Sequence, residues 1–235
     1  MAYGNHFLDT LEPADEAALR PHLRAVEVAA GQVLIAQDTP VAEVHFPADA
    51  QLANLVRLSD GRGLETAVVG REGLSGLAPF MAGTPCGWEV AARQPGTVYV
   101  LPARVLYERF HVSRPLLEQL LRLSYIYQMQ AVQHAACNAA HKALPRMARW
   151  LLSASDLTPG EDIAFTQEEL AGLLGTQRTT INEAATQLKE RGAIRYARGV
   201  ARILDRPLLE RLACECYAME RERIEEAGTM PRRRD

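Results

Sequence analysis

Six closely spaced polar residues, Gln177, Arg178, Thr179, Thr180, Asn182 and Glu183, are the densest chemistry-bearing stretch of the chain. An outward face rich in Arg, Thr, Asn, Glu and Gln is what the reading of base edges requires. The charge around them is local. Residues 176–206 hold seven Lys or Arg against three Asp or Glu, a surplus of four in a chain whose overall charge is -3. Positive charge gathered in this way sits where phosphates would lie. A helical hairpin with a solvated charged face is the plainer alternative. Sulfur and imidazole form the second set. His134, Cys137 and His141 recur on one face of a long helical pattern, as metal or haem ligands can, although such groupings are more often packing and solvent contacts. Cys214 and Cys216 stand too close together for the usual redox pair or a complete zinc site and read as packing thiols. No metal site is expected. Residues 70–87 form a glycine-rich loop with a short helix at 77–81, which either binds an anion through backbone N–H groups or merely turns tightly. The histidines, carboxylates and serines form no triad or paired-acid signature, so an enzyme is not expected.

The polar cluster needs a rigid support, and residues 165–205 supply the pattern of one. Thr166 followed by Glu169 is a capping box, so a helix should start at Gln167 with Leu170, Leu173 and Leu174 on its apolar face. Gly175 suits a tight turn, and Thr176 can cap a second helix running to about Arg191. Ile181, Ala184, Ala185 and Leu188 recur at helical spacing and should face the first helix. Gly192 ends that helix, and residues 193–197 and 200–205 read as two short strands with Arg198-Gly199 at the tip. This is a winged helix-turn-helix.

Upstream, residues 5–23 suggest a short helical start. The period then becomes that of strands, at 26–28, 32–36, 44–46, 51–58, 64–69, 88–92 and 97–101, with turns at Gly31, Asp60-Gly61 and Pro95-Gly96. Strands this short and regular argue for an antiparallel barrel or jelly roll. Residues 113–141 are the longest helical pattern. Leu116, Leu120, Leu123, Tyr127, Gln130, His134, Cys137 and His141 alternate at spacings of four and three, a coiled-coil seam, while Leu117, Leu121, Ile126, Met129, Val132 and Ala136 form a second stripe suited to packing on the barrel. A helix apolar on two sides needs two partners, so this one should join a homodimer. Pro145 opens another helix, residues 158–162 read as a loop, Pro207 starts a helix carrying Cys214 and Cys216, and residues 228–235 with Arg232, Arg233 and Arg234 read as a disordered tail. No membrane-length apolar run, secretion signal or disulfide framework is evident, which makes the cytoplasm the expected location.

In this order the elements resemble the Crp/Fnr family of bacterial transcription regulators. The resemblance covers roughly residues 5–217 and rests on AGQVL at 30–34, VHFP at 44–47, VGREG at 69–73, FTQEE at 165–169 and LLGTQRTTI at 173–181. It implies an α+β chain: a cyclic-nucleotide-binding-like β-roll over residues 1–112, a dimerisation helix over 113–142, a winged helix-turn-helix over 143–217 and a tail over 218–235. It further implies Arg178, Thr179 and Glu183 as base readers, Thr166, Lys189, Arg195, Arg198 and Arg202 at phosphates, a palindromic double-stranded DNA site, and RNA polymerase as a candidate partner. Gly73, Ser75, Gly76, Leu77, Cys86 and Gly87 fall in the effector loop. The nucleotide-binding members place a Glu and an Arg where an ungapped alignment puts Gly76 and Cys86, so tight cyclic AMP binding is not expected. The first cysteine is Cys86, which removes the N-terminal cysteines of the iron-sulfur members. Haem on His134, His141, His45 or His6, another small-molecule effector, and a redox role for Cys86 remain as alternatives, as does a sensing module acting through protein contacts.

Overall fold

The computed structural model describes residues 2–59, 63–157 and 162–229. The Asp60-Gly61 turn, most of the 158–162 loop and the arginines at 232–234 lie outside them. The chain divides into two compact units, one running to Tyr125 and the other starting at Ile126.

In the first unit, α1 (His6–Asp9), α2 (Pro13–Leu19) and a 3-10 turn at Arg20–His22 precede β1 (Arg24–Val28), β2 (Val33–Ile35), β3 (Glu43–Pro47), β4 (Gln51–Arg57), β5 (Gly63–Val69), α3 (Leu77–Ala82), β6 (Glu89–Gln94) and β7 (Gly96–Pro102). Every expected strand is present, within two residues of its expected ends. The strands pair antiparallel in two sheets, ordered β1-β7-β3 and β2-β6-β4-β5. Alternation places Val28, Ile35, Leu52, Val90, Ala92, Val98 and Val100 on the inner faces, together with Cys86. Each large aliphatic side chain buried there contributes about 1.5–3 kcal/mol. The helical start is locked on by one buried carboxylate: Asp15 accepts from Arg109 Nε at 2.6 Å and from Ser113 Oγ at 2.8 Å. Arg109 belongs to α4 (Ala103–Val112), and Ser113 immediately precedes α5 (Arg114–Ala140).

Helix α5 buries the early part of the first stripe within the chain. Leu116 and Leu120 are fully buried and Leu123 nearly so within the chain itself, so they are unavailable to a second copy; Tyr127, Gln130 and His134 on the same stripe are half-buried. Leu121, Tyr125, Gln128, Val132, Ala135 and Ala139 are among the exposed positions of the helix. Their spacing also alternates four and three.

The second unit continues with α6 (Ala143–Leu157), β8 (Ile163–Ala164), α7 (Gln167–Leu173), α8 (Arg178–Glu190), β9 (Ile194–Ala197), β10 (Val200–Ile203), α9 (Arg206–Leu212) and α10 (Cys216–Thr229). Its core joins Met147, Trp150, Leu151 and Leu152 of α6 to Leu170, Leu174, Ile181, Ala184, Ala185, Leu188 and Leu209. Three features differ from expectation. β8 adds a third strand to the wing, in the order β8-β10-β9. α9 ends at Leu212, which leaves Cys214 in a turn and Cys216 at the start of a separate helix. That helix runs to Thr229, so the segment expected to be a tail from 218 is helical over most of its length. Among the described residues, no helix is long and apolar enough to cross a membrane.

His45 on β3 is a titrating weak point. It is buried, its Nδ1 has no partner among the described residues, and burial holds its pKa down from 6.5 to about 4 against the opposing pull of Glu43. An unfolded chain therefore binds the proton that the folded chain refuses at any pH between 4 and 6.5. This contribution to stability is complete above 6.5, and about 3 kcal/mol of it is lost as pH falls to 4. Urea melts from neutral to acid pH should show a shallower loss of stability for His45→Gln than for the wild type; parallel losses would contradict this assignment.

Candidate nucleic-acid interface

The surface begins at Thr166. Its hydroxyl accepts from Glu169 N–H at 3.1 Å, and the Glu169 carboxylate accepts from Thr166 N–H at 2.7 Å, closing the expected capping box. Leu170 and Ala171 turn inward from α7. The chain then reverses at Gly175, where φ is 55°, a left-handed conformation that costs glycine least. Thr176 donates its backbone N–H to the Ala171 carbonyl rather than capping the next helix; Gln177 occupies the N-cap position without a side-chain bond.

Ile181, Ala184, Ala185 and Leu188 of α8 are buried, so the opposite face must point to solvent. Gln177, Arg178, Thr179, Asn182 and Glu183 are exposed there, and Thr180 is half-buried. A chain of side-chain bonds organises this face. Arg178 Nε donates to Gln167 Oε1 at 3.3 Å, and Gln167 Nε2 donates to Asn182 Oδ1 at 3.0 Å. The first contact uses Nε rather than the terminal nitrogens. Gln167, at the first position of α7, is the positioning residue that sequence periodicity does not reveal, because only the turn at Gly175 brings it beside α8.

The wing supplies the second edge. Val200 pairs with Ala197, leaving a two-residue turn in which Arg198 and Gly199 have φ of 53° and 79°. Positive φ at both positions is the turn whose twist suits a tight hairpin, but arginine adopts it at a cost of roughly 1 kcal/mol. Phe165 stacks on Tyr196 at 5.2 Å, meets Trp150 edge-on, and donates its N–H to Gly199 O, so the wing is anchored to the start of the helix pair. Thr166, Gln167, Glu168, Arg178, Tyr196, Arg198 and Gly199 line a shared concavity of about 470 Å³. Lys189 and Arg195 are exposed elsewhere on the unit, whereas Arg202 is already paired with Asp162.

The expected effector loop is a packed corner. Ser75 and Leu77 are buried, and a side chain at Gly76, where φ is 82°, would meet Ile35 Cδ1 at 2.9 Å. Gly73 is buried and Gly87 exposed. Cys86 is wholly buried in the β-roll core, and burial raises its thiol pKa, so it has the character of an inert thiol. The haem candidates do not assemble within either unit. His45 is enclosed, His6 is exposed, His134 lies 3.5 Å from Glu220, and His141 lies 3.1 Å from Glu215.

The profile of the cyclic nucleotide-binding domain matches residues 25–111, and that of the Crp-like helix-turn-helix domain matches residues 145–212. The chain belongs to the Crp/Fnr family. It is a transcription regulator of that type, with a cyclic nucleotide-binding domain ahead of a helix-turn-helix. The fold is shared with FixK2 from Bradyrhizobium japonicum, at a TM-score of 0.72 and 18% identity over 82% of this chain and 98% of that one. It is shared with a transcriptional regulator assigned to the same family from Eubacterium rectale, at 0.71 and 17% over 90% and 99%. The c-di-GMP responsive regulator CLP from Xanthomonas campestris follows at 0.66 and 14% over 82% and 99%. No curated protein sequence matches this chain.

Because the capping box fixes where α7 starts, Thr166→Ala should cost the regulator about 1 kcal/mol. Thermal unfolding checks this, with Thr166→Ser retaining most of the stability; an unchanged Thr166→Ala midpoint would remove the cap from the account.

Proposed function

We propose that the regulator acts as a homodimer that reads a palindromic DNA site. The supporting observation is the exposed polar face of α8 beside the arginine-tipped wing, set against a buried apolar face. Arg178 reads a base, with Gln177, Thr179, Thr180, Asn182 and Glu183 beside it, while Lys189, Arg195 and Arg198 meet phosphates. Thr166 presents the first turn of α7 to the backbone, and Arg202 joins only by leaving Asp162. Residues 1–112 form the sensor, 113–142 the dimerisation helix and 143–217 the reader, and the regulator works in the cytoplasm. The exposed Leu121, Tyr125 and Val132 of α5, each more than half exposed, favour a seam along that stripe. A hydrophobic stripe at coiled-coil spacing is stabilised by a second copy. With neither carboxylate nor guanidinium at Gly76 and Cys86, cyclic AMP would lack the charge-assisted pairs it needs.

Selection from a random duplex pool, with and without cyclic nucleotide and at two salt concentrations, tests the whole reading. A palindrome enriched without ligand is expected, with affinity falling steeply as salt rises; enrichment only with cyclic AMP would overturn the effector reading. Arg178→Ala should cost about 1–3 kcal/mol and relax one position of the selected site. Arg198→Gly should behave oppositely in two assays. It should gain roughly 1 kcal/mol of stability by relieving the left-handed arginine, yet lower the slope of log affinity against log salt by about one. Replacing Leu121 and Val132 together with Glu should yield monomers in sedimentation, and dimers that persist would place the seam elsewhere.

A further inference from the structure

Four side chains that the DNA-reading surface does not use converge in the second unit. Cys137 lies in the last turn of α5 and His141 follows four residues later, its N–H still donating to the Cys137 carbonyl at 3.1 Å. Spacing of four places both on one helical face. Cys214 occupies the turn between α9 and α10, and Cys216 is the first residue of α10. The three sulfurs and the imidazole nitrogen all lie within 4.8 Å of one another. Cys137 Sγ and Cys214 Sγ are 3.5 Å apart, and Cys216 Sγ is 3.6 Å from His141 Nδ1. All three thiols are buried and none is in a disulfide.

These separations match the edges of a small tetrahedron. Zinc bonds of about 2.3 Å to sulfur and 2.0–2.1 Å to nitrogen put neighbouring ligands about 3.8 Å apart for two sulfurs and about 3.6 Å apart for sulfur and nitrogen. We propose that Cys137, His141, Cys214 and Cys216 form a site for one thiophilic divalent cation, zinc, which joins the end of α5 to the corner between α9 and α10. The surrounding groups fit this assignment. His141 turns Nδ1 toward the sulfurs and Nε2 toward Glu215 Oε1 at 3.1 Å, the outer carboxylate that orients a ligating histidine. Gln133 Nε2 donates to Cys216 Sγ at 3.0 Å and Gln133 Oε1 accepts from Arg223, so the amide is aimed to support a thiolate. Access is at hand: Cys214 forms part of the wall of a cavity of about 370 Å³ that Glu210, Glu215 and Glu222 also line. The ligands bracket the helix-turn-helix in sequence. A cation bound by both ends would close a loop around every element that reads DNA, and its binding energy would add to the folding of that domain.

The test uses the full chain, purified under reducing conditions without a metal-affinity tag and analysed for metals and free thiols. About one zinc per chain is expected. Cobalt(II) in its place should give the strong visible absorption of a tetrahedral thiolate complex. Chelation should lower the thermal midpoint and open the thiols to alkylation. Cys137→Ser and Cys214→Ser should lose the metal. Glu215→Ala changes an exposed side chain and should weaken zinc by about 10- to 100-fold while far-ultraviolet dichroism stays unchanged. A folded chain that neither contains zinc nor takes it up would overturn the proposal. So would iron with acid-labile sulfide, or a Cys137–Cys214 disulfide in the reduced preparation.

Discussion

The burial of one side of α8 is the constraint on which the C-terminal unit depends. Ile181, Ala184, Ala185 and Leu188 are at most a few per cent exposed, and α8 packs on α6 and α7 through them. Small residues at 184 and 185 bring the helix close to its neighbours. Once that ridge is seated, rotation about the helix axis is no longer free, and Arg178, Thr179, Asn182 and Glu183 are delivered to the opposite side. The polar face thus owes its direction to apolar atoms. The Gly175 turn then sets the angle between α7 and α8, and Phe165, held between Trp150 and Tyr196, ties the wing to the same core. A specificity-bearing surface needs such rigidity because base contacts require side chains held within hydrogen-bonding reach.

Much of this was legible from residue order. Capping boxes, glycine turns and strand alternation are local signals. Thr166 with Glu169, Gly175, and the alternating Val and Leu residues of the β-roll each specify conformation through neighbours a few positions away. What local signals cannot supply is the identity of the surface that covers a given face. Both stripes of α5 have the right period. In the one with Leu116, Leu120 and Leu123, these residues are buried within the chain, at the end of the helix next to the bonds that Asp15 makes with Arg109 and Ser113. The polar late half of the same stripe points the same way, because His134 and Cys137 also have partners inside the chain.

Cys214 and Cys216 read only as packing thiols in the sequence for a related reason. Two cysteines separated by one residue are uninformative until the turn after α9 returns them to a helix that ended more than seventy positions earlier. α10 has the same origin. Its hydrophobic periodicity is weak, and its start is secured by Tyr217 and Glu220. Tyr217 hydrogen-bonds Asp156 at 2.7 Å and receives Arg206 Nη2 at 2.6 Å, while Glu220 is paired with Arg149 in a buried contact. Polar networks of this kind are satisfied only by partners distant in sequence, and no period announces them.

The two sulfur environments show how location decides what a cysteine can do. Cys86 stands among aliphatic side chains of the β-roll, where burial disfavours the thiolate and leaves a small hydrophobe. Cys137, equally buried, faces two other sulfurs and an imidazole, with Arg149 adding positive charge nearby, and its thiolate is favoured. Burial alone would raise both. The opposite outcome at Cys137 comes first from its hydrogen bond with Cys214, whose own thiol is pushed up in turn, so the cluster shares its protons instead of holding three independent thiols. A purely packed thiol gains nothing from an outward Glu215 on the far side of His141 or from an amide pointed at Cys216. Their joint presence is what separates a ligand set from a coincidence of small side chains.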